Sequence, residues 1–287
     1  MKKSYPGIVY LNGEWVTHDQ AKISVFDRGF IFGDGVYEVI SFYDGRPFLM
    51  EEHLQRLRIS LSVAELDVDL NTIPEIIYEA VKRAGLTSSD CLVYLQVTRG
   101  VAPRMHQYPE DATPTIMTYA YNFEFGSYKH KMIKVFVAED ERWHRCDVKT
   151  TSLMGNVRAN NAGAKAGAHE TILVRNGEFT EGSHSNLFFV KNGELFTHPN
   201  GHHILPGITR GKVLELCREL NLKVHEQALP IAGFESVDEA FITGTGSEIQ
   251  GIGSVILSGK EIQISSDAGP VTTKLQEAFE KLTRSGS

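Results

Sequence analysis

Cysteine is scarce in this sequence: three in 287 residues, Cys91, Cys146 and Cys217, far apart and odd in number. They make neither a disulfide framework nor a zinc-binding spacing, and they favour a reducing, cytoplasmic setting. No apolar run approaches the roughly 18 residues that a membrane span needs. Positive charge is not in excess either. The formal net charge of -7 argues against a nucleic-acid binder, whose footprint would be basic. Met1-Lys2-Lys3-Ser4-Tyr5-Pro6 has charge but no apolar stretch after it, so a secretory signal is not expected there. Internal repeats, low-complexity tracts, a Walker P-loop and a GxGxxG are all missing. What is present is ordinary for a soluble globular chain, with 41% hydrophobic and 23% charged residues. The length suits one large domain or two small ones.

The pattern along the chain predicts an α+β unit followed by a second, α/β-like half. Ile8 to Leu11 and Glu14 to Thr17 flank Asn12-Gly13, which supplies both positive φ angles of a type I′ hairpin turn. A second strand pair is predicted at Val36 to Phe42 and Arg46 to Met50. The glycine- and aspartate-rich run from Phe26 to Gly35 reads as a loop. Helices follow at Glu52 to Leu66, with Leu54, Leu57 and Leu61 inward, and after a capping Thr72. Strands at Cys91 to Arg99 and Pro114 to Tyr121 flank the Gly100 to Pro109 loop. Domains are thus expected at 1–121 and 130–287, joined by a linker at 122–129. In the second half strands are predicted at Met132 to Ala138, Thr171 to Arg175, Ser185 to Val190, Glu194 to Thr197, Lys223 to Leu229 and Glu239 to Thr243. Helices are predicted at Asn160 to Gly167, from Thr209, and after Gly269-Pro270 with Val271, Leu275, Phe279 and Leu282 inward.

Several residues offer chemistry, each beside a plainer reading. Lys149 is a surface charge or an amine held for covalent work. Leu205-Pro206-Gly207-Ile208-Thr209-Arg210 puts a tight turn at a helix start, where free N–H groups suit a phosphate; Thr209 as a plain N-cap is the alternative. Gly244-Thr245-Gly246-Ser247 is a second donor-rich turn. Glu181 faces a cationic ring nitrogen or lies in a solvated turn. Arg104 and His106 clamp a carboxylate or decorate a surface loop. His198, His202 and His203 lack carboxylate or cysteine partners, so no metal is expected.

From about Val9 to Ile256 the chain resembles the fold-type IV pyridoxal-phosphate aminotransferases, and among them the D-amino acid (D-alanine-type) branch. The resemblance is carried by Asp27-Arg28-Gly29, Phe32-Gly33-Asp34-Gly35-Val36-Tyr37-Glu38-Val39, Glu52-His53-Leu54-Gln55-Arg56-Leu57, Thr98-Arg99-Gly100 and Pro103-Arg104-Met105-His106-Gln107. It continues through Arg145-Cys146-Asp147-Val148-Lys149, Thr180-Glu181-Gly182-Ser183, Gly207-Ile208-Thr209-Arg210 and Ser247-Glu248-Ile249. It implies a smaller N-terminal α+β domain, a larger C-terminal pseudo-barrel domain, and pyridoxal 5′-phosphate as cofactor. Lys149 would be the catalytic lysine in Schiff-base linkage to it, and Glu181 the carboxylate at the pyridine nitrogen. Arg56, Ile208, Thr209, Gly244 and Thr245 would hold the phosphate, and Leu205 would pack on the ring. Tyr37, Arg104 and His106 would trap the substrate α-carboxylate, the last two from the second subunit of a homodimer. The implied reaction is transamination of a D-amino acid, with 2-oxoglutarate or pyruvate as acceptor. A branched-chain L-aminotransferase and an aminodeoxychorismate lyase share the lysine and are the alternatives. The chain departs from the pattern at His184, where serine is usual, and at Gly244 and Gly246, where hydroxyl residues are usual.

Overall fold

The computed structural model describes residues 5–126 and 131–284. Residues 127–129 of the expected linker lie outside that range. The chain forms two compact units. The first contains residues 1–124 together with Val148–Leu153, and the second contains Phe125–Asp147 and Met154–Ser287. The short Lys149 segment therefore belongs to the first unit, although the chain around it builds the second.

The first unit is a six-stranded sheet with helices on one face. Strands β1 (Ile8–Leu11) and β2 (Glu14–Thr17) form the expected hairpin, with Asn12 at φ 49° and Gly13 at φ 96°. Next come β3 (Gly35–Tyr43), β4 (Arg46–Pro47), β5 (Cys91–Thr98) and β6 (Thr115–Asn122), in the spatial order β2-β1-β6-β5-β3-β4. β4 is shorter than predicted because Pro47 has no N–H to donate and a helix begins at Met50. The stretch expected as loop holds a short helix, α1 (Arg28–Phe32), whose Gly29 N–H donates to the Asp27 side chain. Helix α2 (Met50–Val63) lays Leu54, Leu57 and Leu61 on the sheet, and α3 (Ile73–Arg83) adds Ile73, Ile77, Ala80 and Val81. Thr72 precedes α3 but makes no side-chain cap; its hydroxyl donates to the carbonyl of Asp69 instead. Alternation along β3 sends Val36, Ile40 and Phe42 into this core.

The second unit is a mixed sheet with a half-barrel course. Its strands are β7 (Ile133–Glu139), β8 (Glu170–Arg175), β9 (Glu178–Gly182), β10 (Asn186–Lys191), β11 (Glu194–Thr197), β12 (Val224–Glu226), β13 (Glu239–Gly244), β14 (Glu248–Leu257) and β15 (Lys260–Gln263). The order is β12-β11-β10-β13-β14-β7-β8-β9, with β15 on β14. The pairs β7·β8, β7·β14 and β11·β12 are parallel. Strand β14 was not expected, because Gly251 and Gly253 break its apolar run; both sit against Met132, where a side chain would collide. The strand expected at 223–229 is only the three residues of β12.

Helix α4 (Met154–Lys165) starts six residues before the predicted Asn160. It has no apolar stripe to announce it: Gly163 is its one buried residue, and Met154 and Val157 are exposed. Helix α5 (Ile208–Glu219) begins one residue before Thr209, with Gly207 as N-cap. The last helix, α6 (Pro270–Arg284), buries Leu275 and Phe279 as expected, but Leu282 is exposed and Thr272 is buried. Thr272 is drawn in by Glu239, which accepts from its N–H at 2.8 Å and its hydroxyl at 2.7 Å. That polar anchor rotates the inward face away from Leu282.

Candidate functional site

Lys149 is held on the first unit by backbone pairing. Its carbonyl accepts from Tyr37 N–H at 3.0 Å, Thr150 bridges Val36, and Thr151 N–H donates to Gly35 O. The amide of Lys149 reaches Ser60 Oγ on α2 at 3.3 Å. Its amine then lies 4.2 Å from the centre of the Tyr37 ring, a cation–π contact.

Beside it on α2, His53 and Arg56 are three residues apart and so share a helix face. Both reach Glu38 of β3, which is fully buried. Arg56 Nε and Nη2 donate to the two carboxylate oxygens at 2.7 and 2.8 Å, and His53 Nδ1 lies 2.8 Å from Oε2. Burial pushes Glu38 up most strongly, yet the charge and hydrogen bonds of Arg56 with those of His53 outweigh it and hold the carboxyl well below its ordinary range. Burial, opposed by Glu38, lowers the His53 pKa, with Arg56 and Lys149 adding to the lowering. The trio is thus a carboxylate, a guanidinium and a neutral imidazole.

Tyr37 also stacks on Tyr94, at 5.7 Å, and Tyr94 on Tyr119, at 5.3 Å. Arg104 and His106 are brought to a different place. Their described ring contacts are with Phe32 of α1, at 5.2 and 5.6 Å, and not with Tyr37.

On the second unit Glu181 projects from β9 into a cage. Oε1 accepts from Arg142 Nη1 at 2.6 Å, Leu205 N–H lies 3.1 Å from both oxygens, and Asn186 Nδ2 donates to Oε2 at 2.9 Å. Arg142 is shared: its Nε and Nη2 go to Asp140 at 2.9 Å. Burial pushes the Glu181 carboxyl up to about 7; Arg142 and the Leu205 amide oppose this, and the charge of Asp140 adds to it.

Asn186 ties the phosphate-type turns to this cage. Its side chain also donates to Leu205 O at 2.9 Å, and its backbone pairs with Thr243, just before Gly244. Gly207 has to be glycine here, because a Cβ would fall 1.9 Å from Asn186 Oδ1. With glycine as N-cap, no side chain caps α5, and the N–H groups of its first turn, at Ile208 and Thr209, face outward from the helix end. Thr245 lies in the turn joining β13 to β14, where Gly244 pairs with Glu248. His184 is exposed, and its Nδ1 lies 2.9 Å from buried Glu170 and 3.1 Å from Ser183 Oγ.

The second unit therefore joins Glu181, Leu205, Gly207 and the strand leading to Gly244 through Asn186, while the first joins Lys149, Tyr37 and Arg56. Sequence reasoning assigned no role to Glu38, Asn186, Arg142 or Asp140. Glu38 had a signal: a charged residue at an inward position of an apolar strand, opposite a helix with His53 and Arg56 three apart. Asn186 had none. Among the described residues no group of three or more His, Cys, Asp or Glu is placed to hold a metal, and no helix is long and apolar enough to cross a membrane.

Comparison with known proteins fits these features. Residues 35–255 match the family model described as amino-transferase class IV. A D-alanine aminotransferase of Staphylococcus haemolyticus is 34% identical over 284 residues, covering 97% of this chain and 99% of its own. One from Bacillus licheniformis is 38% identical over 275 residues, covering 95% of each chain. Among solved structures, a branched-chain amino acid aminotransferase of Escherichia coli superposes with a TM-score of 0.88 at 28% identity, covering 97% of this chain and 95% of its own.

Proposed function

The chain belongs to the class IV aminotransferases, and from that premise we propose that it moves the amino group of a D-amino acid, of the D-alanine type, to an α-keto acid such as 2-oxoglutarate or pyruvate. The observation that carries this reading is the Lys149 amine over the Tyr37 ring, 4.2 Å away, on the unit that holds buried Arg56. The D-alanine aminotransferase relatives support the choice of a D-amino acid.

The donor sets fit pyridoxal phosphate part by part. The first unit offers a primary amine for an aldehyde and a buried guanidinium for an anion. The second offers an uncapped helix start for phosphate oxygens and an under-neutralised carboxylate for a protonated ring nitrogen. When bound, pyridoxal phosphate supplies an aldehyde that takes up amines and a ring that accepts electrons from the substrate Cα. Lys149 provides the amine that carries a proton to and from that carbon. Glu181 keeps the proton on the ring nitrogen. Arg56, the N–H groups of Ile208 and Thr209 and the hydroxyl of Thr245 hold the phosphate, with Gly244 giving it room, and Leu205 packs against the ring. Tyr37, Arg104 and His106 bind the α-carboxylate, which fixes the face of Cα turned towards Lys149.

Arg104 and His106 act in the site of a second copy of the chain. Val101 and Met105 of their loop are exposed, as are Val25, Phe26 and Phe30 of the segment that pairs with it through the Asp27–Val101 bridge, apolar side chains suited to a homodimer contact. Sedimentation as a monomer at micromolar concentration would remove this part of the reading.

The test is a half-reaction followed by cofactor absorbance. The protein loaded with pyridoxal phosphate is mixed with D-alanine, and separately with L-valine or L-leucine, with no acceptor. Loss of the cofactor band with D-alanine alone is expected. Loss with the L-amino acids alone would move the chain to the branched-chain L-aminotransferases, the class of the Escherichia coli structure that superposes on it. Steady pyruvate release without an acceptor would identify a lyase.

A further inference from the structure

The loop bearing Arg104 and His106 is surface-exposed, yet it is tied down by a buried ionic node. At its centre is Asp34, just after α1. Its Oδ2 accepts from Arg28 Nε and Arg99 Nε, both at 2.8 Å, and Oδ1 accepts from Arg99 Nη2 at 3.1 Å. Side-chain exposures are 13% for Asp34, 4% for Arg28 and 7% for Arg99, so water can do little to replace the carboxylate.

Each arginine carries the node outward. Arg28 Nη1 donates to the carbonyl of Met105 at 2.6 Å, the residue between Arg104 and His106. Arg99 lies 3.5 Å from the centre of the Tyr108 ring and donates to the carbonyls of Ala64 and Glu65 at the end of α2. Phe32 takes Arg28 at 4.7 Å and Arg104 at 5.2 Å. The loop entrance is fixed as well, since Gly100 (φ 88°) leaves no room for a Cβ, which would lie 1.9 Å from Thr113 O.

We propose that Asp34 is a positioning residue for the α-carboxylate clamp: through Arg28 and Arg99 it sets where Arg104 and His106 are presented. This rests on the reading of Arg104 and His106 as carboxylate ligands. One carboxylate stands between two buried guanidinium groups that share its Oδ2 and screens each from the other. Without its charge they repel, and Arg28 is pushed from Met105 O while Arg99 loosens from Tyr108. The error is passed to both substrates, because amino acid and keto acid each carry the α-carboxylate.

Steady-state kinetics of the holoenzyme test this with Asp34→Asn, Tyr108→Leu, Arg104→Ala and the double variant Asp34→Asn/Arg104→Ala. In Asp34→Asn, KM for D-alanine and for the keto acid should rise about tenfold with kcat within about twofold, as expected when binding shared by ground and transition states is lost. Tyr108→Leu, at an exposed side chain, should raise both KM values about threefold with an unchanged melting temperature. The double variant should raise KM by clearly less than the product of the two single effects, since Asp34 acts in part through Arg104. Multiplying effects in the double variant, or unchanged KM with reduced cofactor content and kcat in Asp34→Asn, would show a role in folding only and overturn the proposal. If Asp34→Asn does not fold, unchanged KM in Tyr108→Leu overturns it alone. If Arg104→Ala itself leaves KM unaltered, the carboxylate-clamp reading fails and takes this proposal with it. If Arg104→Ala raises KM and Asp34→Asn does not, only the proposal fails.

Discussion

Glu38 in the first unit and Glu181 in the second are both buried, and each meets an arginine. Their carboxyls are nevertheless driven in opposite directions. Glu38 has Arg56 across both its oxygens and His53 besides, and the sum overcomes burial. Glu181 receives one Nη1 of Arg142 while the other face of that guanidinium is spent on Asp140, so burial prevails and the carboxyl rises to about 7. A buried carboxylate is stabilised by how fully its partner is its own, not by having a partner. Glu38 is a finished ion pair that holds β3 to α2. Glu181 is left short of positive charge, which is the condition for receiving a cationic ring nitrogen.

The largest expected effect lies beside the finished pair. Lys149→Ala should lower transamination by at least about 10²–10⁴-fold, measured in single turnover, because the amine proposed to carry the proton is lost. Thermal stability should change little. Glu38→Ala should do the reverse in kind, destabilising the fold by about 3–5 kcal/mol in urea titration, because it removes the carboxylate that balances the buried Arg56 guanidinium. If Glu38→Ala were as stable as the parent, the two carboxylates would be alike and the contrast would collapse.

Acid sharpens the contrast further. The folded Glu38 and His53 both bind protons more weakly than their unfolded counterparts. The stability due to His53 is therefore lost as pH falls below about 6.5, and that due to Glu38 as it falls below about 4.5. Glu181 works the other way: its folded form keeps a proton that the unfolded chain gives up, so stability is lost as pH rises from about 4.5 to about 7. Urea midpoints of the cofactor-free protein against Glu181→Gln should show the variant gaining on the parent across that window, by at most about 3 kcal/mol. The smallest effect is expected at Asn186→Ala, about 1–2 kcal/mol, from the loss of its hydrogen bonds to Glu181 and Leu205.

Much of this was legible in the sequence where local chemistry decides the matter. Asn12-Gly13 dictates a hairpin, the stripes of α2 and α3 dictate a helical face, and the ordered motifs around Lys149 and Glu181 point to one family. What stayed hidden depends on partners distant in the chain. β14 goes unpredicted because its glycines, Gly251 and Gly253, make sense only against Met132, and α6 turns because Glu239 seizes Thr272. Sharing of Arg142 between Asp140 and Glu181, which sets the behaviour of the site, is a matter of angstroms that no spacing rule encodes.

The most direct test of the claim that Glu181 lacks a cation is the melting temperature of parent and Glu181→Gln at pH 8, each with and without pyridoxal phosphate. The account predicts that the cofactor raises the parent's melting temperature by several degrees more than the variant's, because only the parent gains a neutralised buried charge. Equal shifts in the two proteins would contradict it, and would reduce Glu181 to one more member of a structural cage.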